Sequence, residues 1–111
     1  MKSLHAGELD SRITIERWGS EIDEFGGEIV EWLHVATVWA SAEDIRDSER
    51  YRAQQVGSDV TTRFRVRWRG SIEQLNPKDR LHYGGRIYNI VATKAIGRRE
   101  GIEITAAARS D

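Results

Sequence analysis

The sequence predicts an all-β protein, a small antiparallel β-barrel or sandwich, on three observations. Residues 60–69 alternate between apolar or threonine side chains and arginines almost without exception, which is the two-residue period of a half-buried strand. Gly84-Gly85 separates two short apolar runs and is typical of a tight hairpin turn. The other short apolar runs are divided by turn residues, and almost no segment has a helical period. The chain of 111 residues has room for one domain with one modest core.

The elements follow in order along the chain. Residues 1–9 contain few apolar anchors and are predicted to be a flexible N-terminal arm, ahead of a single barrel domain over 10–111. Residues 12–18 alternate and are rich in β-branched side chains, as a half-buried strand is. Residues 19–28 are predicted to be an acidic turn in which Gly26-Gly27 supplies positive φ angles. A long second strand follows to about Glu43, and later strands are expected at 60–69, 81–83, 86–91, 93–96 and 102–106.

The second strand, residues 29–42, is apolar on both faces. One alternating set consists of Val30, Trp32, Ala36, Val38, Ala40 and Ala42, and the other contains Leu33, Val35 and Trp39. A strand in a lone antiparallel sheet buries one face and exposes the other to solvent, so two apolar faces indicate that both are covered. The rest of the chain is too short and polar to cover the second face, and we expect a neighbouring subunit to do so. Trp32 and Trp39 are seven residues apart and should point to opposite faces unless a β-bulge intervenes.

Residues 44–59 show no strand alternation and are rich in charged and polar side chains. They are predicted to form a long loop, in which Asp47 or Ser48 could cap a short helix over 49–56 that ends at Gly57. A loop of this length in a compact domain is usually functional or disordered. We therefore expect a functional loop between the second and third strands.

Composition and motifs exclude several classes of function. The 17 basic and 18 acidic residues give a net charge of −1, so no global charge attracts the chain to nucleic acid or membrane. There is no cysteine, no membrane-spanning run and no signal peptide pattern, and we expect synthesis in the cytoplasm without export. His5, His34 and His82 are not at metal-ligand spacing, and no nucleophile or phosphate-binding motif is present. We expect no enzymatic activity, cofactor or metal.

An arginine stripe leaves three interpretations open. Its members, at every second position of the third strand, are Arg63, Arg65, Arg67 and Arg69. They could form a solvated or carboxylate-paired face, form salt bridges to a neighbouring subunit, or contact nucleic acid. The first interpretation is favoured, because Phe64 and Trp68 lie on the opposite face and cannot stack on bases beside the arginines.

An ordered set of segments resembles the head–tail joining proteins of tailed bacteriophages, also called head-closure, stopper or head–tail adaptor proteins. The segments are 7–15, 32–40, Ser48-Glu49, Ala53-Gln54-Gln55, 62–68, 79–81 and 84–90. They cover nearly the whole chain. Two positions depart from the family's pattern, because Glu8 stands where the family often has a basic residue and Ser48 where it has a glycine. The turn at 19–28 is also slightly long.

The resemblance implies a small β-barrel that forms a cyclic ring of six or twelve subunits at the head–tail interface of the virion. The ring would assemble in the host cytoplasm, below the portal or adaptor protein and above a tail protein. It would close the DNA-filled head, with packaged double-stranded DNA passing through its channel, and would provide the tail-attachment surface without any membrane. The alternative is a barrel that binds nucleic acid through the arginine stripe.

Two sets of site residues follow from this interpretation. The expected subunit interface consists of Trp32, Leu33, Val35, Trp39, Arg63, Arg65 and Arg67. The loop that would line the channel or dock on neighbours contributes Asp44, Arg46, Asp47, Ser48, Glu49, Arg50, Tyr51, Arg52, Gln54 and Gln55.

Overall fold

The chain forms a closed barrel of six antiparallel strands. The computed structural model describes residues 6–45, 61–72 and 75–109. The strands are β1 (Ser11–Ile22), β2 (Glu28–Asp44), β3 (Thr61–Arg67), β4 (Arg80–Tyr83), β5 (Arg86–Ile96) and β6 (Gly101–Ala108). Their order around the barrel is β1-β2-β3-β6-β5-β4, and β4 closes it by pairing with β1. The predicted all-β class is confirmed, and of its two forms the barrel is the one adopted.

The barrel interior is filled by alternate side chains of all six strands. Phe64 is fully buried and contacts Tyr83 and Tyr88 edge to face, with ring centroids 5.3 and 5.5 Å apart. Further buried side chains are Ile13, Ile15, Ala36, Val38, Ala40, Val66, Leu81, Ile90, Ile102, Ile104, Ala106 and Ala108. The alternation predicted for β3 is confirmed, because Thr62, Phe64 and Val66 are buried while the arginines between them lie on the outer side.

The hairpin turns follow local backbone chemistry. Gly84 and Gly85 have φ angles of 58° and 80°, so the β4–β5 hairpin turns through two left-handed residues, as predicted. In the β1–β2 turn only Gly26 has a positive φ, of 84°. A Cβ at Gly27 would lie 3.0 Å from Oδ2 of Asp23, so a larger residue there would require that carboxylate to shift.

Several predicted boundaries were wrong. β1 extends to Ile22 and β2 begins at Glu28, so the turn between them is shorter than the predicted 19–28. The strands expected at 86–91 and 93–96 are one strand, β5, which continues through a bulge at Val91. A bulge keeps the hydrogen-bonded ladder continuous but shifts the alternation of its side chains by one residue. In the sequence this shift looks like the end of one strand and the start of another.

Two terminal or loop predictions are only partly described. The N-terminal arm predicted over 1–9 includes a 3-10 turn at Ala6–Glu8 and the buried Leu9, while 1–5 lie outside the described residues. The loop over 44–59 is described only at Asp44, which ends β2, and at the following residue, so its predicted helix also lies outside them. In the described ranges no helix has the length and apolarity needed to cross a membrane.

Candidate functional site

A β-bulge in β2 decides which side chains face outward. Ile15 pairs with Ala36 and the next residue, Glu16, pairs with His34, so Val35 is an extra residue in the ladder. An extra residue shifts the alternation by one position. Trp32 and Trp39 therefore share the outer face of the sheet, because the bulge that the prediction named as its exception is present.

Beyond the bulge, β1 and β2 leave the barrel as a two-stranded ribbon, here called the hairpin arm (residues 17–33). β4 pairs with β1 only over 14–16, and β3 pairs with β2 only over 40–44. The arm's two strands continue to pair with each other from Arg17–Leu33 to Ile22–Glu28. At about 3.4 Å per residue this ladder is roughly 17 Å long. The arm therefore presents both its faces beyond the barrel wall.

The outer face of the hairpin arm is largely apolar. Trp18 pairs with Trp32, and Val30 and Ile22 follow on the same face toward the tip. Exposure is 88% for Phe25 in the turn, 78% for Ile22, 54% for Trp18 and 49% for Val30. Contiguous exposed apolar surface of this kind marks an interaction site. Val30 and Trp32 lie on this outer face because of the bulge, and Trp32 was among the expected interface residues.

The hairpin arm is also acidic. Residues 18–33 contain five carboxylates and no lysine or arginine: Glu21, Asp23, Glu24, Glu28 and Glu31. Asp23 is used in the turn, where its Oδ1 accepts hydrogen bonds from the backbone N–H groups of Phe25 and Gly27 at 2.9 and 2.7 Å. The turn is thereby held in one conformation, with Phe25 at its tip.

The base of the arm is held to the barrel by a cluster on the outer face. The rings of Trp18 and Trp32 meet edge to face at 5.3 Å, and the Arg80 guanidinium lies 4.1 Å from the centre of the Trp32 ring. Arg80 and His82 donate hydrogen bonds to Oε1 of Glu16 at 2.8 and 2.7 Å. Burial raises the pKa of the Glu16 carboxyl, but these hydrogen bonds and charges outweigh it, so the pKa is lowered from its ordinary value.

A bidentate ion pair fixes the base of the arm on the other face. Arg17 donates from Nε and Nη2 to the two carboxylate oxygens of Asp79, each at 3.0 Å. The Asp79 side chain is fully buried, and its Oδ2 also accepts a hydrogen bond from the backbone of Asn76 at 3.3 Å. The hydrogen bond to Asp79 raises the pKa of Arg17. The segment before β4 thus anchors the arm, which sets its direction relative to the barrel.

A second surface lies near the other end of the β1–β2 ladder. It is a groove of about 280 Å³, here called the basic groove, lined by Leu9, Val38, Trp39, Arg67 and Arg69. Trp39 is 52% exposed, and the Arg12 guanidinium lies 4.9 Å from the centre of its ring. Arg67 and Arg69 are exposed and form no ion pair with any carboxylate in the described part of the chain.

The arginine stripe is divided by its cross-strand neighbours. Arg65 Nε lies 3.1 Å from Oε1 of Glu103, and Arg63 Nη1 lies 3.5 Å from Oε1 of Glu43. Both guanidinium groups are therefore largely compensated within the chain, as the favoured interpretation expected. Because a phosphate would have to displace these carboxylates, the geometry counts against nucleic-acid binding by the whole stripe.

The remaining predicted interface residues are less accessible. Leu33 is half-buried and packs on Gly19, since a Cβ added at Gly19 would lie 2.9 Å from Cδ1 of Leu33. Val35 is partly buried and packs against the core. In the predicted loop, Asp44 ends β2, and the other site residues from Arg46 to Gln55 lie outside the described residues.

The sequence analysis did not include Trp18, Ile22 and Phe25 of the arm among the site residues. Ile22 and Phe25 were nevertheless detectable, because large apolar residues are unusual in an acidic turn. It also missed Arg12, which lies over Trp39. Within 6–45, 61–72 and 75–109, no group of three histidine or acidic side chains is placed to hold a metal ion.

Fold and site together define a small β-barrel whose distinctive surfaces suit contact with other proteins. A sequence model of the phage head completion protein family matches residues 4–109, and the chain belongs to that family. The resemblance to phage head–tail joining proteins is thereby confirmed. Membership makes the protein a structural component of the phage head and places it in the virion. A comparison with curated protein sequences found no match.

Solved structures share the fold. The solution structure of protein SF1141 from Shigella flexneri 2a has a TM-score of 0.70 at 23% identity, over 97% of this chain and 99% of that chain. A chain in the structure of the virion of the native gene transfer agent particle has a TM-score of 0.62 at 21% identity. That match covers 89% of this chain and 93% of that chain. Both similarities establish the barrel topology over almost the entire length.

Proposed function

We propose that the protein is a non-enzymatic ring component of the head–tail connector of a tailed phage. In this proposal copies of the chain form a cyclic ring below the portal or adaptor protein. The ring closes the DNA-filled head and presents the surface to which the tail attaches. The observation that carries the proposal is the exposed apolar face of the hairpin arm, in a chain that belongs to the head completion family.

The energetics of the arm favour an assembled state. Burying one large apolar side chain contributes about 1.5–3 kcal/mol. Phe25, Ile22, Trp18 and Val30 are all about half exposed or more, so covering them supplies several such contributions. Part of this free energy is offset by the loss of rigid-body and side-chain freedom on binding. The net gain in binding free energy grows when many copies bind together. An arm that leaves the barrel in one direction fits a closed heterologous ring.

The charge arrangement is compatible with DNA passing through such a ring. A strongly basic channel would bind phosphates and slow the DNA. Arg63 and Arg65 are paired with Glu43 and Glu103, so two of the four arginines in the stripe are neutralised before any contact with DNA. We propose that the segment 44–59 lines the channel or docks on a neighbouring subunit.

The proposal is tested with heads that lack the protein. We expect such heads to lose packaged DNA and to fail to join tails, and the purified chain to restore both when added back. The purified chain should also bind portal–adaptor complexes as a ring, measured by native mass spectrometry. A chain that stays monomeric in that mixture, with heads that retain DNA and join tails without it, contradicts the proposal.

A further inference from the structure

We propose that the hairpin arm of one copy docks into the basic groove of the next copy. The inference rests on the proposed ring and names the contact that would build it. The arm contributes Phe25 and the apolar outer face with the acidic residues around it. The groove contributes an apolar floor and the guanidinium groups of Arg12, Arg67 and Arg69.

The geometry excludes docking of the arm into its own groove. The pair Arg12–Trp39 at the groove and the pair Trp18–Trp32 at the base of the arm belong to one ladder. Six residues separate them along β1, which is about 20 Å, and Phe25 lies farther still in the same direction. A paired ribbon cannot fold back on itself without breaking its hydrogen bonds. The arm can reach only the groove of another molecule, so the contact is heterologous and can repeat around a ring.

The chemistry of the two surfaces is complementary. Glu24 and Glu28 flank Phe25 and are exposed, and neither forms an ion pair in the described part of the chain. Arg67 and Arg69 are exposed cations beside an apolar floor. Docking would pair both sets of charges while it covers Phe25 and Trp39 together. Complementary charge of this kind selects the partner and its orientation.

The groove is of a suitable size. Its volume is about 280 Å³, and an apolar protein cavity of about 150 Å³ holds a benzene ring. One phenylalanine ring therefore fits with space for part of a second side chain. Phe25, 88% exposed at the tip, is the apolar side chain best placed to enter.

The test uses charge reversal in the full-length chain. One variant reverses the arm, Glu24→Lys/Glu28→Lys, and a second reverses the groove, Arg67→Glu/Arg69→Glu. Each alone should weaken ring formation on portal–adaptor complexes at least about tenfold, because like charges then face each other at every contact. The equimolar mixture should regain assembly, since each reversed arm meets a reversed groove in an alternating ring. Native mass spectrometry of the complexes would show the two variants in equal numbers.

A matched control reverses two exposed arginines that belong to neither surface, Arg86→Glu/Arg98→Glu, and should assemble like the unaltered protein. Thermal melting of each variant checks that the barrel is intact. Normal assembly of the two test variants, or a mixture that does not recover, overturns the docking and leaves the proposed function standing. If the variants lose binding to the adaptor but still contact one another normally, the arm binds the adaptor and the proposed docking is also overturned. If the unaltered chain fails to assemble on portal–adaptor complexes, both proposals fall.

Discussion

Replacing Phe25 with serine separates assembly from folding. Phe25 is 88% exposed at the tip of the hairpin arm. A phenylalanine that presents about 200 Å² would leave roughly 175 Å² open to water, and covering all of it contributes at most about 4 kcal/mol. If half of that area is covered in the ring, the substitution costs about 2 kcal/mol per contact, or about thirtyfold in affinity.

The free energy of unfolding of the isolated chain should change far less. An exposed side chain outside the core alters it by about 0.5 kcal/mol or less. Urea denaturation measures this, and sedimentation velocity or native mass spectrometry of portal–adaptor mixtures measures assembly. Val91→Ser is the matched control, because Val91 is also apolar and 55% exposed but lies on β5, away from the arm. Normal assembly of Phe25→Ser, or destabilisation of the monomer by more than about 1 kcal/mol, contradicts a role for Phe25 in the contact alone.

The other predictions concern the base of the arm and the arginine stripe. Arg17→Met leaves the buried Asp79 carboxylate without its bidentate partner. Because Arg17 is partly exposed, the free energy of unfolding measured by urea denaturation should fall by about 2–3 kcal/mol. A loss below about 0.5 kcal/mol contradicts this. The lowered pKa of Glu16 gives stability that is complete above its ordinary value of 4.5 and is lost as the pH falls through the lower folded value. As the pH is lowered, the melting temperature of Glu16→Gln should therefore fall less than that of the unaltered protein. Equal pH profiles of the melting temperature for the two proteins would exclude the effect. Titration with short single- and double-stranded DNA at low salt should be flat, since Arg63 and Arg65 are carboxylate-paired; binding that weakens when both become glutamine would support the nucleic-acid alternative.

The fold was largely predictable because its signals are local. The alternation in β3 and the Gly84-Gly85 turn are properties of neighbouring residues, and both gave the correct elements. The regular spacing of short strands then limited the architecture to a barrel or a sandwich. Closure depends on the pairing of β4 with β1, which joins residues more than sixty positions apart and leaves no local pattern.

The site was less predictable because it depends on register. The bulge at Val35 moves Trp32 and Val30 to the outer face, and nothing in the side-chain pattern of β2 distinguishes it from a regular strand. β2 does expose apolar side chains beyond its buried face, at Ile29, Val30 and Trp39, but the sequence did not show that the exposed surface continues onto β1 and the turn. The exposed surface lies mainly on the hairpin arm, in a segment whose acidic residues and glycines resembled a simple turn. Likewise, Glu43 and Glu103 become partners of the arginine stripe only once β2, β3 and β6 are aligned.

Cryo-electron microscopy of the assembled head–tail connector measures the central claim most directly. The proposal that this chain forms a ring through its arm requires density for each hairpin arm against protein, with Phe25 and Trp18 covered and the basic groove filled by a neighbouring copy. Arms that project into solvent in the assembled particle, with Phe25 still open to water, would contradict the account.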